Sequence, residues 1–375
     1  MKIGILTLPL RDNYGGILQA VALYRYLHNQ GHDVVLIYKE SAYTKLWWKK
    51  VLEEILIQIP FHNFKNIKTN HKLKIEWQKR KAFHRPFVEN EIYKISQNLY
   101  TKSDLEIFAK KEKFDAVIVG SDQVWRKEYI GNIYYKSYFF DFLDGSEVKK
   151  IAYAASFGKN YWEGKYDIED ISKLMADFTA VSIREKSGVA ICKNSFGFDN
   201  AKHVLDPTML MDKEFYINEI ISKYDTSRVS KGGLLTYVLD EEDEKKEIID
   251  FVKENLKIDK VTHLKGFNSL NIIYTVPEWL ASFSNADFIV TDSFHGMVFS
   301  IIFEKDFVVI GNEGRGMDRF LSLLDLIVLE DRLILNKSQL CKAKLEKIDF
   351  LKVKEVLNKE RKISEEFLER ALNDE

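Results

Sequence analysis

Between Asp287 and Ser300 an apolar run breaks at a polar elbow that carries a histidine, His295, and then resumes as an apolar helix. In an α/β protein, ligands bind in the crevice outside the carboxyl ends of the strands, where a helix amino terminus offers free N–H groups and partial positive charge. An anionic, phosphorylated substrate suits such a corner. Histidine also moves protons near neutral pH, so His295 is the candidate acid or base. The alternative is that Asp292, Ser293 and His295 only cap the helix.

Other polar residues end apolar runs in the same way: Asn13, Gly15, Gln19, Ser121, Asp122, Gln123, Ser156, Arg184, Asp206, Arg315 and Arg319. Arginine holds phosphate or carboxylate with a two-pronged fork, which makes Arg184, Arg315 and Arg319 the candidate anion clamp. Each has a carboxylate close in sequence, Glu185, Glu313 or Asp318, that would pair with it instead. Asp122 and Asp292 are candidate bases, and both residue types also serve turns and caps. Gly314 and Gly316 on either side of Arg315 fit a loop that covers a ligand.

The elements needed to present these residues alternate as strands and helices. Residues 2–8 read as a buried strand, 9–16 as a turn, 17–30 as a helix and 33–38 as a second strand, a βαβ unit. Its Asn13-Tyr-Gly-Gly16 turn lacks the spaced glycines of a dinucleotide fingerprint. Strands are predicted at 114–120, 149–155, 178–183 and 202–205, followed by a polar, irregular segment at 211–230. Alternation restarts at Lys231 with a helix at 241–256, a strand at 260–264, a helix at 277–285, a strand at 287–291, a helix from Gly296 and a strand at 306–310. Gly311–Arg319 reads as a loop, and the charged tail from 345 as a helix returning over the first domain. Two α/β domains, 1–210 and 211–375, follow from this order.

With 375 residues, 46% of them apolar, the chain has material for two cores. Its formal net charge of −1 gives no sign of a nucleic-acid partner. Cys192 and Cys341 are too few for a disulfide framework, and the remaining histidines are scattered without metal-site spacing, so neither a metal nor a cofactor is implied. No apolar run is long enough to span a bilayer, and a cytoplasmic protein is expected. Residues 43–85 differ in character. Between Lys39 and Arg85 twelve Lys and Arg face four Glu, an excess of eight, with Trp47 and Trp48 among them. Such a basic, aromatic insertion suits an anionic membrane surface, as at the inner face of a plasma membrane; it also suits a solvated helical insertion packed on the body.

Taken in order, several segments resemble the polysaccharide pyruvyl transferase family: Gly4-Ile-Leu-Thr-Leu8, Asn13-Tyr-Gly-Gly-Ile-Leu-Gln19, Gly120-Ser-Asp-Gln-Val-Trp125, Ser182-Ile-Arg-Glu185, Leu205-Asp-Pro207, Thr291-Asp-Ser-Phe-His-Gly296 and Arg319. The resemblance runs from residue 3 to about 325. It implies the architecture of B-type glycosyltransferases, two Rossmann-like domains facing across a cleft, with the acceptor on the first and the donor on the second. It also implies transfer of the pyruvyl group of phosphoenolpyruvate onto two hydroxyls of a sugar, free or lipid-linked, to form a cyclic ketal in capsule or exopolysaccharide synthesis. Well-known members carry Arg-Leu-His where this chain has Ser293-Phe-His295, so Arg315 or Arg319 would supply the missing cation. Two other functions share the same architecture: a nucleotide-sugar glycosyltransferase, and a non-catalytic assembly factor docked on a membrane.

Overall fold

The computed structural model describes residues 1–40, 82–131, 135–164, 166–240, 242–265, 273–312 and 316–373. In the first half, β1 (Lys2–Leu6), α1 (Tyr14–Asn29), β2 (Asp33–Ile37), α2 (Lys102–Glu112), β3 (Ala116–Gly120), β4 (Lys149–Ala155), α3 (Ile168–Ala176), β5 (Ala180–Ile183), α4 (Lys186–Phe196) and β6 (Lys202–His203) follow one another. The six strands form a parallel sheet in the order β2-β1-β3-β4-β5-β6. Their sequences are near-continuous apolar runs because helices cover both faces of such a sheet; every residue of Ala116–Gly120 is buried.

The second half contains β7 (Leu234–Tyr237), α5 (Asp243–Leu256), β8 (Val261–Lys265), α6 (Val276–Asn285), β9 (Phe288–Thr291), α7 (Phe294–Ile302), β10 (Asp306–Ile310), α8 (Asp318–Leu326), β11 (Leu333–Ile334) and α9 (Phe350–Asn373). Its five strands are parallel in the order β11-β10-β9-β7-β8. Thr275 and Glu278 cap α6 reciprocally, with Pro277 in the first turn, where its missing N–H costs nothing. The chain thus has two Rossmann-like layers of the B-type glycosyltransferase kind.

One apolar cluster spans both halves, from Ile3 and Ile17 through Trp279 and Phe299 to Leu368. At the junction Tyr14 stacks on Trp279 at 5.4 Å and 11°, and its hydroxyl donates to the Tyr274 carbonyl at 2.7 Å. Helix α9 packs back on the first sheet: the Leu205 N–H donates to Ser364 Oγ at 3.0 Å, and the Lys149 ammonium donates to the Leu372 carbonyl.

Several local expectations need correction. Helix α1 begins at Tyr14, so Gly15 and Gly16 lie in its first turn rather than in a preceding turn. The first turn of a helix tolerates glycine because few of its backbone bonds are yet closed. Similarly α7 starts at Phe294, which puts His295 inside it, and Arg319 is the second residue of α8 rather than part of a loop. The segment 211–230 is not irregular throughout. Residues Phe215–Ile220 form a wide helical turn with Tyr216 and Ile220 fully buried, and the Tyr216 hydroxyl donates to the Thr208 carbonyl at 2.8 Å.

Of the 43–85 insertion only the helical residues from 82 are described, with His84 buried; Phe87 and Val88, on the same helix just beyond it, are buried too. Trp47 and Trp48 lie outside the described residues. Among the described residues no helix is long and apolar enough to cross a membrane.

Candidate active site

The carboxyl ends of β3, β4 and β5 meet the β9–α7 elbow of the other sheet. Asp122, just past β3, adopts φ 64°, a left-handed backbone that aspartate tolerates better than most residues. Its Oδ1 accepts from the Gln123 N–H at 2.9 Å and its Oδ2 from Asn13 Nδ2 at 3.1 Å. Arg184, at the end of β5, places Nη1 2.6 Å from Asp206 Oδ2 and Nη2 3.7 Å from Asp122 Oδ1. Ser121 Oγ donates to the same Asp206 oxygen at 3.0 Å, while Asp206 Oδ1 accepts from the N–H and hydroxyl of Thr208. Burial works to raise the Asp206 pKa, but His295 and Arg184 outweigh it and hold the carboxyl well below the usual range.

His295 projects from the first turn of α7 toward this carboxylate, with Nε2 3.6 Å from Asp206 Oδ2. That separation is outside hydrogen-bond range, and Nε2 is buried with no hydrogen-bond partner. Two glycines make the placement possible. A Cβ on Gly296 would lie 2.2 Å from Thr291 Oγ1, so α7 can start this close to β9 only without one. A Cβ on Gly15 would lie 2.0 Å from His295 Nδ1 and 2.1 Å from its Cγ: the imidazole rests on bare backbone of the opposite domain. Ser293 closes the elbow by accepting the Gly296 N–H at 3.4 Å.

Phe294 separates two buried cations. The Arg184 guanidinium lies 4.6 Å from its ring centre and that of Arg319 5.3 Å. Burial, and then the neighbouring Arg184, lower the Arg319 pKa to about 10, which leaves it charged at neutral pH. Glu185 is buried beneath the pair. Its Oε1 accepts from the N–H groups of Phe157 and Gly158 at 2.8 and 3.3 Å, and burial raises its pKa against the pull of Arg184 and Arg319. The cluster therefore holds an ionised aspartate, an imidazole and two arginines, groups able to bind an anion and transfer a proton. Among the described residues no group of three or more His, Cys, Asp or Glu is placed to hold a metal ion.

The structure brings His295, Asp122, Arg184, Arg319, Asn13, Gly15 and Ser121 together. Gln123 and Ser156 stand one step behind: Gln123 Oε1 would be 2.2 Å from a Cβ on Gly158, and Ser156 Oγ accepts the Gly158 N–H at 3.2 Å. Gln19 braces the β1 loop through Thr7 Oγ1 and the Gly16 carbonyl, both at 2.9 Å. Asp292 faces elsewhere. Its carboxylate accepts from the Leu239 N–H at 2.7 Å and from Lys245 Nζ at 3.0 Å, so it ties β9 to the end of β7. Arg315 lies outside the described residues.

Sequence reasoning set Asp206 among the strand-end residues but gave it no role, and it offered Glu185 only as an ion partner. Arg184 instead pairs with Asp206, 22 positions away. It overlooked Arg126, buried with Nη1 2.9 Å from Gln123 Oε1. The signal available for all three was their position at or just beyond the ends of apolar runs.

A family model described as polysaccharide pyruvyl transferase matches residues 13–314. No curated protein matches the chain. Among solved structures, a putative UDP-N-acetylglucosamine 2-epimerase from Listeria monocytogenes is similar at 10% identity, with a TM-score of 0.52 over 96% of this chain and 91% of that one. Arabidopsis thaliana UGT89C1 complexed with UDP gives 7% identity and a TM-score of 0.50, covering 100% and 99% of the two chains. S. aureus MnaA with UDP gives 12% and 0.50, covering 96% and 91%. At these identities the likeness is one of fold.

Proposed function

The chain belongs to the polysaccharide pyruvyl transferase family, and on that premise we propose that it moves the pyruvyl group of phosphoenolpyruvate onto two hydroxyls of one sugar during cell-surface polysaccharide synthesis. The observation that carries the reading is the buried His295, without a hydrogen bond at Nε2, seated between Gly15 of one domain and the Asp206–Arg184 pair.

Each step has a residue suited to it. His295 delivers a proton to the methylene carbon of the enol phosphate, leaving an oxocarbenium-like centre. Arg184 and Arg319 face the donor's carboxylate and phosphate, with Arg319 standing in for the arginine that Ser293 replaces. A first sugar hydroxyl attacks and gives up its proton. Phosphate leaves, and the neighbouring hydroxyl adds and loses its proton to close the ketal. Asp122 suits the base role better than Asp292, because its two accepted hydrogen bonds leave lone pairs unused. Donor binding on the second domain, acceptor binding on the first, and docking of residues 43–85 on an anionic membrane to reach a lipid-linked sugar belong to the same proposal.

Incubation of the protein with phosphoenolpyruvate and a panel of saccharides tests this: inorganic phosphate and a ketal that survives base are expected. Release of UDP from a UDP-sugar, without phosphate from phosphoenolpyruvate, would make it a nucleotide-sugar transferase. Failure to bind either donor would make it a non-catalytic factor.

A further inference from the structure

Beyond the buried cluster, the loops after β3 and β4 form a rim that the steps above do not use. Tyr129, in the short helical turn Lys127–Ile130, is 49% exposed, and Tyr161, in the loop after β4, is 56% exposed. Both rings carry a cation: the Arg126 guanidinium lies 3.9 Å from the Tyr129 ring centre, and Lys159 Nζ lies 5.6 Å from that of Tyr161. The two loops are braced against each other. Lys159 Nζ reaches Glu128 Oε2 at 3.0 Å and Glu163 Oε1 at 2.8 Å, and Glu163 Oε2 accepts the Glu128 N–H at 2.9 Å. The tyrosines are therefore held in place before any ligand arrives, which lowers the ordering cost of binding.

The rim is continuous with the candidate active site. Arg126, above Tyr129, donates to Gln123, the neighbour of Asp122; Gln123 packs against Gly158, whose carbonyl would lie 2.3 Å from a Cβ on Gly316 of the facing domain. Its charge is balanced, since Arg126 and Lys159 are matched by Glu128 and Glu163. A neutral rim offers no attraction to a phospholipid surface or a polyanion. Exposed aromatic faces beside paired donors and acceptors suit a ligand with apolar C–H faces and polar edges.

We propose that Tyr129 and Tyr161 form the platform on which an uncharged stretch of the acceptor saccharide lies, sugar rings stacked on the phenol rings and hydroxyls bonded to the Arg126–Glu128–Lys159–Glu163 ladder. The occupant's role as acceptor rests on the proposed pyruvyl transfer. The platform itself stands on the geometry of the rim.

The test is saturation-transfer NMR on the full chain with neutral hexasaccharides: cellohexaose, maltohexaose, laminarihexaose and mannohexaose. The wild type should saturate the ring protons of at least one. Tyr129→Ala/Tyr161→Ala, and Tyr161→Ala alone, which alters only a half-exposed side chain, should weaken that binding about tenfold or more, while Tyr129→Phe/Tyr161→Phe should keep most of it. Calorimetry with phosphoenolpyruvate on the same proteins separates the two readings: the alanine variants should bind the donor as the wild type does, and a protein that binds saccharide through the tyrosines but no phosphoenolpyruvate would sink only the donor reading. Wild type that binds none of the four sugars, unchanged binding in both alanine variants, or tyrosine-dependent binding to phosphatidylglycerol vesicles instead of sugar would overturn the platform.

Discussion

Gly15→Ala adds one methyl group, and the structure specifies where it lands. The new carbon would sit 2.0 Å from His295 Nδ1 and 2.7 Å from its Cβ. Ordinary contact begins near 3.4 Å, so the imidazole must retreat by about 1.4 Å. Gly15 is in the first turn of α1, where alanine's helix propensity adds little, so the overpacking cost of about 1–3 kcal/mol dominates. Net stability should therefore fall by no more than about 3 kcal/mol. Activity should change far more, because a catalytic group displaced by about 1 Å can lose about 10²-fold in rate. The assay is phosphate release from phosphoenolpyruvate with a working acceptor, alongside thermal melting and donor calorimetry. A Gly15→Ala protein that melts like the wild type and turns over within threefold of it would show that the His295–Gly15 contact has no part in catalysis.

His295→Ala should lower turnover by about 10²-fold or more with a small effect on melting, because the Asp206–Arg184 pair remains intact; near-normal turnover would remove the histidine from the chemistry. Arg319→Ala should weaken phosphoenolpyruvate binding by about 1.5–3 kcal/mol in calorimetry, the worth of a charge-assisted contact. Glu185 has a raised folded-state pKa, so its contribution to stability is full below the unfolded value of about 4.3 and is lost as pH rises through the folded one. The melting temperature of Glu185→Gln should accordingly gain on the wild type as pH rises from 4 to 8, and parallel curves would refute this. Asp206 runs the other way: its stabilisation is full above the ordinary aspartate range and is lost as pH falls toward its depressed pKa. A Trp47→Ala, Trp48→Ala, Lys49→Glu, Lys50→Glu variant should lose salt-sensitive sedimentation with anionic vesicles.

Strand periodicity was legible because buried parallel strands are apolar on both faces: 149–155 reads from sequence with the bounds it has in the fold. The wide turn at 215–220 was not, since Asn218 and Glu219 hide the buried Tyr216 and Ile220. Site residues were legible as loop residues at strand ends, yet their partners were not. Nothing local in Ser182-Ile-Arg-Glu185 says that Arg184 reaches Asp206, because that contact depends on how the loops past neighbouring strands converge. Asp292 misled for the converse reason: it stands three residues before His295, but it leaves β9 before α7 begins, and its carboxylate turns toward the end of β7.

The return of α9 to the first sheet also sets a schedule for biosynthesis. Leu205 must wait for Ser364, 159 positions later, before its N–H has an acceptor. At about 5–20 residues per second that is an interval of about 8–32 s on the ribosome. Through it Tyr153, which packs against Phe367 with ring centres 6.3 Å apart, lacks its cover. The amino-terminal half is thus made first and finished last, with an apolar face that stays uncovered until residues 350–373 emerge.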